Sequence, residues 1–366
     1  MNHPLSSASP HVRDPDALRV ALEDLRASEA ARRALLASLA PFQAPSLRRS
    51  LGQFAVTAGG YAALVALMYY TSLHGLPWLA LVLAVPTAGF VVRLFIIQHD
   101  CGHASYFRSR RMNDAVGWLC SVATFTPYAN WRRQHAGHHA VWNNLDQRHA
   151  GADIYSTCLT VREYAALSPW RQRLYRMARH PLVAQLLLPP LVFLVLYRVP
   201  FDTPKSWRRE RRSVHLTNLA IGSMLATLVL LLGTGPVLLV QVPIMVVASI
   251  VGVWLFSVQH RFEDSQWAHH AQWTPLGASL HGSSWLRLPR LLQWFTGNIG
   301  FHHVHHLLPR VPNYRLQACH EAAPAFASHV TSLTFREAFK APSYALWDED
   351  LGRMVRFPNH TAALSS

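Results

Sequence analysis

The chain has 366 residues, 51% of them hydrophobic and only 14% charged, against roughly 25% charged in an ordinary soluble domain. The apolar content must therefore be concentrated somewhere, which points towards a membrane. Lys and Arg outnumber Asp and Glu by 34 to 19, a formal charge of +15, which suits anionic headgroups or an acidic protein partner, with nucleic acid the weaker reading.

The N-terminal stretch MNHPLSSASPHVRDPDALRV contains no apolar run of the kind a cleavable signal needs, so insertion is expected to use the first internal span. From Asp14 to Ala40, Leu18, Leu22, Leu25, Leu35, Leu36 and Leu39 recur mostly at steps of three and four among charges, predicting a cytosolic or surface-lying amphipathic helix. No Asp, Glu, Lys or Arg occurs from Leu51 to Val92, a run of 42 residues broken once at His74-Gly75-Leu76-Pro77. Each half matches the ~20 residues that cross a bilayer, predicting a helical hairpin. A second uncharged tract, Ser213 to His260, is interrupted at Gly233-Thr234-Gly235-Pro236 and predicts a second hairpin. Between them Pro181 to Tyr197 is apolar but carries Pro189-Pro190, which would break a straight helix.

Positive clusters at Arg48-Arg49, Arg108/Arg110/Arg111, Arg132-Arg133, Arg208-Arg209, Arg211-Arg212 and Arg287/Arg290 flank what should be one side, the cytoplasm. Parity then requires that Pro181 to Tyr197 be re-entrant or interfacial. A crossing there would separate the last histidine motif from the first two. Cys101, Cys120, Cys158 and Cys319 form no CxxC pair, so a disulfide framework is not indicated and a reducing face fits.

Twenty-two histidines are present, and nine fall in three motifs, eight of them (all but His303) at repeating spacings: His99-Asp100-Cys101-Gly102-His103, His135-Ala136-Gly137-His138-His139 and His302-His303-Val304-His305-His306. Positions i, i+3 and i+4 share one helical face about 5 to 6 Å apart, so the imidazoles of each motif are expected to converge on a common point. Imidazole suits iron, copper, zinc or nickel, and eight nitrogens are twice what one tetrahedral zinc uses, so two metals are implied. The absence of paired Glu-x-x-His motifs excludes a carboxylate-bridged bundle as template.

The three motifs, with NLDQRHAGADIYSTCLTVREY after the second and QWFTGNIGFHHVHHLLPRVPNYRL around the third, resemble the bacterial membrane fatty acid desaturases of the omega-6 (delta-12) acyl-lipid type. The likeness covers roughly Leu51 to Cys319. It implies that His99, His103, His135, His138, His139, His302, His305 and His306 bind two iron ions, and it adds His260, at the end of the last span, as a further ligand. It also implies molecular oxygen as co-substrate, a cis double bond and water as products, and a membrane lipid or acyl thioester as substrate. Neither a dinucleotide fingerprint nor a haem or iron-sulfur cysteine run is present, so electrons are expected from a separate ferredoxin or small haem cytochrome. Arg108 to Arg111 and Arg208 to Arg212 are candidate docking sites for it.

The expected fold is an all-α, multi-pass integral membrane protein of the bacterial inner membrane. It has four transmembrane helices in two hairpins, a re-entrant or interfacial segment, and a cytoplasmic helical cap holding a histidine-ligated di-metal site. Residues 1–46 are read as a cytoplasmic amphipathic helix segment, 47–340 as the desaturase domain and 341–366 as a C-terminal tail.

Asp100, Asp146, Asp153, Glu263 and Asp264 are candidates to orient ligating imidazoles, with loop solvation as the alternative. Asn298 is read as a water-mediated ligand or a helix cap, and His303 as hydrogen-bonding or outward-facing. Trp118, Trp131, Trp142, Trp267, Trp285 and Trp294 line an acyl tunnel or belong to an interfacial belt. A fatty acid hydroxylase or related membrane di-iron oxygenase would use nearly the same motifs. A metal transporter is the non-enzyme alternative, disfavoured because the spans lack intramembrane carboxylates.

Overall fold

The computed structural model describes residues 29–149 and 157–358. Two compact units are distinguished, residues 1–41 and 42–366. In the first, α1 (Glu29–Leu39) is helical; residues 14–28 of the expected amphipathic helix lie outside the described residues.

The second unit starts with a hairpin of α2 (Leu47–Leu73) and α3 (Pro77–Gly102). Gly75, at φ +81°, makes the turn in a region that L side chains avoid, and Pro77 opens α3 where its missing N–H has no helical partner to lose. α4 (Arg110–Ala123) and α5 (Tyr128–Val141) follow. After β1 (Leu159–Thr160), α6 (Val161–Ala166) and α7 (Pro169–Ala178) come a π turn at Val183–Leu187 and α8 (Leu188–Leu194). The second hairpin is α9 (Arg208–Leu232) and α10 (Thr234–His260), joined at Gly233 with φ +86°. The remainder includes α11 (Pro275–His281), β2 (Trp285–Arg287), α12 (Arg290–Phe295), α13 (His302–Leu307), β3 (Ser332–Thr334), β4 (Leu346–Asp348) and β5 (Arg353–Val355).

Among the described residues four helices, α2, α3, α9 and α10, are long and apolar enough to cross a membrane, or five if the bent pair α7 with Val183–Arg198 counts as one span. Their arrangement follows from burial. The apolar windows of α3 and α10 are 56% and 44% buried against 11% and 17% for α2 and α9, so α3 and α10 form the centre. Ala80, Ala84 and Ala88 lie buried one turn apart on α3 in the core shared with Val237, Val240 and Ile244 of α10. Small side chains at this spacing let helix backbones approach closely, the main source of attraction between helices in lipid. Outward, Val56, Leu67, Val82, Val85, Leu219, Leu230, Leu231 and Leu238 are exposed, as apolar surface facing hydrocarbon should be. Arg93, one residue past the uncharged run, falls inside α3, so the spans are not wholly free of charge. Its Nε donates to Thr57 Oγ1 at 3.2 Å, another guanidinium nitrogen donates to the Trp294 carbonyl, and the group lies 4.0 Å over the Trp294 ring.

The apolar segment Pro181 to Tyr197 is helical but irregular: a π turn at Val183–Leu187 runs directly into α8, with Pro189 and Pro190 where the winding changes, and a 3-10 turn follows at Leu196–Arg198. The break lies ahead of it, where Val183–Arg198 is bent by 52° from α7. At 1.5 Å per residue, residues 183–198 extend about 24 Å, short of a ~30 Å bilayer. The all-α expectation is modified outside the spans. β1 pairs parallel with β4, which pairs antiparallel with β5, and β2 pairs parallel with β3. Two- and three-residue strands carry too little periodicity to be read from sequence.

If close approach of α3 and α10 holds the centre together, Ala84→Leu should overpack it. The expected loss is about 1–3 kcal/mol, read as a lower melting temperature in detergent. Unchanged stability would contradict this packing.

Candidate metal centre

Helices α3 and α10 end at the same end of the bundle and bring His99, His103 and His260 there, while α5 and α13 supply the other two motifs. The histidines form two clusters. In the first, the ring nitrogens of His99, His103, His135, His139 and His305 lie within 4.8 Å of one another. His305 Nε2 is 3.0 Å from His99 Nε2 and 2.9 Å from His139 Nε2, which is 3.1 Å from His135 Nε2. In the second, His138, His260 and His306 converge within 4.8 Å. His302 joins them, its Nε2 2.9 Å from that of His260 and 3.1 Å from that of His306. His138 Nε2 is 3.1 Å from His260 Nε2.

All nine sequence-predicted residues are thus brought together, but not one motif per point. The expectation that each motif converges on its own point is corrected: His135 and His139 serve one cluster and His138 the other, and His305 is separated from His302 and His306 in the same way. The cause is helical geometry. Residues four apart are nearly eclipsed, whereas sequence neighbours such as His138 and His139 diverge by about 100°.

Asp100, buried beside the first cluster, places Oδ1 3.2 Å from His99 Nδ1. Its Oδ2 accepts from the backbone N (2.7 Å) and Nδ2 (2.8 Å) of Asn313, whose side chain also bonds Gln53 on α2. The carboxylate favours a hydrogen on His99 Nδ1 and turns the Nε2 lone pair towards the cluster. Asp146 instead pairs with His269, and Glu263 with Tyr344 and Arg353; Asp264 is exposed, and Asp153 lies outside the described residues. Asn298, at φ +59°, caps no helix. Its amide accepts from Gln293 and donates to the Asn313 carbonyl, so the cap reading gives way to a turn residue. His303 is fully buried and pairs with His320 Nδ1 at 2.9 Å, apart from both clusters.

The donor set fits metal ions. His260 Nε2 faces the Nε2 atoms of both His138 and His302, and His305 Nε2 those of both His99 and His139. A neutral imidazole has one N–H, so it can donate to only one of two such neighbours. A cation between the lone pairs satisfies them together. Burial, reinforced by neighbouring imidazoles, pushes His103, His135, His139, His302, His305 and His306 well below the usual histidine range, keeping those lone pairs available.

Beside the clusters is an apolar cavity of about 390 Å³, reaching His99, His135, His138 and His302. Its walls come from α3 (Val91, Phe95), α5 (Trp131), the segment around α8 (Val192, Phe193, Tyr197) and α10 (Met245, Gly252, Phe256). Gln134 and Asp202 line it as well and are joined by a 2.6 Å hydrogen bond.

The family model described as fatty acid desaturase matches residues 76–336, most of the chain and all nine clustered histidines. The chain belongs to the fatty acid desaturase family. It is 42% identical to "Fatty acid desaturase" of Bacillus subtilis (strain 168) over 323 residues, 88% of this chain and 90% of that protein. An "Omega-3 fatty acid desaturase, chloroplastic" of Glycine max is 28% identical over 64% of this chain and 52% of its own length. The "sn-1 oleoyl-lipid 12-desaturase" of Anabaena variabilis is 24% identical over 69% of this chain and 71% of that protein. The chain is therefore an oxidoreductase of the desaturase type, and its histidine clusters are consistent with a di-metal site.

In this desaturase the tryptophans divide. Trp131 stacks on His135 at 4.7 Å and lines the cavity; Trp142 lies 4.0 Å from His260 and packs on Trp267. Trp285 stacks on Phe301, while Trp118 and Trp294 are 41% and 38% exposed, as a belt position requires. Sequence reasoning missed Asn313 and Gln53 as supports of Asp100, because they lie 213 and 47 positions away from it (313 − 100 and 100 − 53) and no local spacing marks them.

The depressed histidines set the sign of a pH response. The unfolded chain takes up protons near the ordinary value of about 6.5, while the folded clusters resist them, so acidification favours unfolding. In metal-free protein, stability should be full above pH ~6.5 and fall steadily below it. A flat thermal-denaturation profile from pH ~7.5 to ~5.5 would count against buried neutral histidines.

Proposed function

We propose that this desaturase inserts a cis double bond into a lipid-linked acyl chain, using two iron ions held by His99, His103, His135, His139 and His305 in one site and His138, His260, His302 and His306 in the other. The observation that carries the reading is the apolar cavity running up to residues of both clusters. An unactivated methylene has no acidic proton and no leaving group, so side-chain acid-base chemistry alone does not remove its hydrogens. Bound iron supplies, with dioxygen, the oxidising power for C–H cleavage. In balance, two adjacent carbons each lose one hydrogen, dioxygen accepts those two hydrogens with two external electrons and two solvent protons, and two waters leave.

The protein's own part is positional. Val91, Phe95, Phe193 and Phe256 hold the acyl chain by apolar contact and exclude water. Asp100 keeps His99 oriented through its ring Nδ1. Basic residues at Arg48, Arg49, Arg108, Arg110 and Arg111 lie near the histidine end of the spans, which we place on the cytoplasmic side of a bacterial inner membrane. Exposed Arg208, Arg209 and Arg212 add to that surface, and Arg209 and Arg132 share Asp114. A soluble acidic electron carrier, a ferredoxin or small haem cytochrome, docks there in this reading. Resemblance around the third motif favours the omega-6 position, while the relatives matched include proteins named for omega-3 and for 12-desaturation. The desaturase domain is taken as 47–340, flanked by segments 1–46 and 341–366.

Expression in a desaturase-deficient host, followed by gas chromatography with double-bond localisation, tests this. A new unsaturated acyl lipid is expected, absent from His138→Ala and His305→Ala, each of which should also lower bound iron by about half. Hydroxylated chains would instead support the hydroxylase reading. Asp100→Ala should weaken iron binding by about 10–100-fold, the usual effect of losing a carboxylate behind a ligating histidine; titration at wild-type affinity would remove that role.

A further inference from the structure

Gly252 sits in the middle of α10, where a glycine weakens a helix and calls for a reason. Contacts within the protein explain other glycines in the spans. A Cβ at Gly60 would come within 2.5 Å of Phe90, and one at Gly89 within 2.8 Å of Phe295. Gly52, Gly59 and Gly222 lie on exposed outer faces. Gly252 fits neither case: it lines the apolar cavity, and a Cβ there would meet nothing within 4 Å. No protein atom demands its missing side chain. The demand comes from whatever fills the cavity.

The cavity also has a direction. Near its Gln134–Asp202 hydrogen bond it is polar. Along α10 it follows Gln259, Phe256, Gly252, Ser249 and Met245, at helical steps of three and four. Ser249 Oγ is bonded to its own helix at Val246 O, and Gln259 Nε2 to Ile299 O, so both polar side chains already have partners. Gly252 lies eight residues from His260, about 12 Å along the helix, with Met245 about 10 Å further. A lipid headgroup would lose its hydration at the apolar end, so the chain enters methyl end first.

We propose that Gly252 keeps the cavity open beyond the metal centre and so sets how much of the acyl chain passes it, fixing the double-bond position counted from the methyl end. This rests on the desaturase reading above. A larger residue at 252 would hold the chain back, bringing carbons nearer the methyl end to the histidines.

The test compares wild type, Gly252→Ala and Gly252→Leu in the desaturase-deficient host, reading double-bond position and chain length. Gly252→Leu is expected to move the double bond towards the methyl end or to select shorter chains, with Gly252→Ala intermediate. The wild-type product set from Gly252→Leu would overturn the proposal. Should Gly252→Leu give no product, binding of long- and short-chain phosphatidylcholine to the detergent-purified, metal-free protein decides. The proposal requires long-chain binding weakened by at least about tenfold, the lower end of what a single added methylene costs in an apolar pocket, with short-chain binding retained. Equal weakening of both, or of neither, would overturn it. No unsaturated product from wild type would instead remove the desaturase reading itself.

Discussion

Nine imidazoles, six buried and three half-buried, whose ring nitrogens face one another are the constraint on which this structure depends. Neutral rings at 2.9–3.1 Å from several partners do not satisfy all contacts by hydrogen bonding, because each has a single N–H. The arrangement suits cations between them and brings four chain segments to the same place. Both central helices run to that end, so the two hairpins are a condition of the site. The outer helices α2 and α9, little buried themselves, flank the central pair.

Around this centre, polar groups are held by partners distant in sequence. Asp100 reaches back to His99 and outwards to Asn313, and Asn313 reaches Gln53 on the first span. The first hairpin, the first motif and the segment after the third are thereby tied through one carboxylate. A buried carboxylate needs several donors to remain tolerable, and here those donors also lock the ring it orients.

The segment around α8 joins the apolar helices to the chemistry. It is bent by 52° from α7 and so does not continue that helix as a straight span. It contributes Val192, Phe193 and Tyr197 to the cavity wall while Leu187, Leu191 and Val195 face outwards. One short element therefore has an exposed apolar face on one side and the cavity on the other. The cavity is walled by two of the helices long and apolar enough to cross a membrane, α3 and α10, and its apolar lining suits a hydrophobic substrate.

Much of this was legible in the sequence because the signals are local and strong. Uncharged runs of 42 and 48 residues, the second counted from Ser213 to His260, can satisfy their backbone in lipid only as helices, and their central breaks at Gly75 and Gly233 fix two hairpins. Histidine spacing picked out the eight motif residues, and resemblance added His260. Tertiary structure alone decided how they are shared out: His138 faces a different cluster from His139 because neighbouring side chains on a helix diverge, and His305 completes a cluster begun on α3 and α5. It also decided the partners of Asp100, the turn role of Asn298, the short strands and the cavity beside Gly252. Each of these depends on which distant segments meet, and a linear pattern with a period of two or four residues carries no record of that.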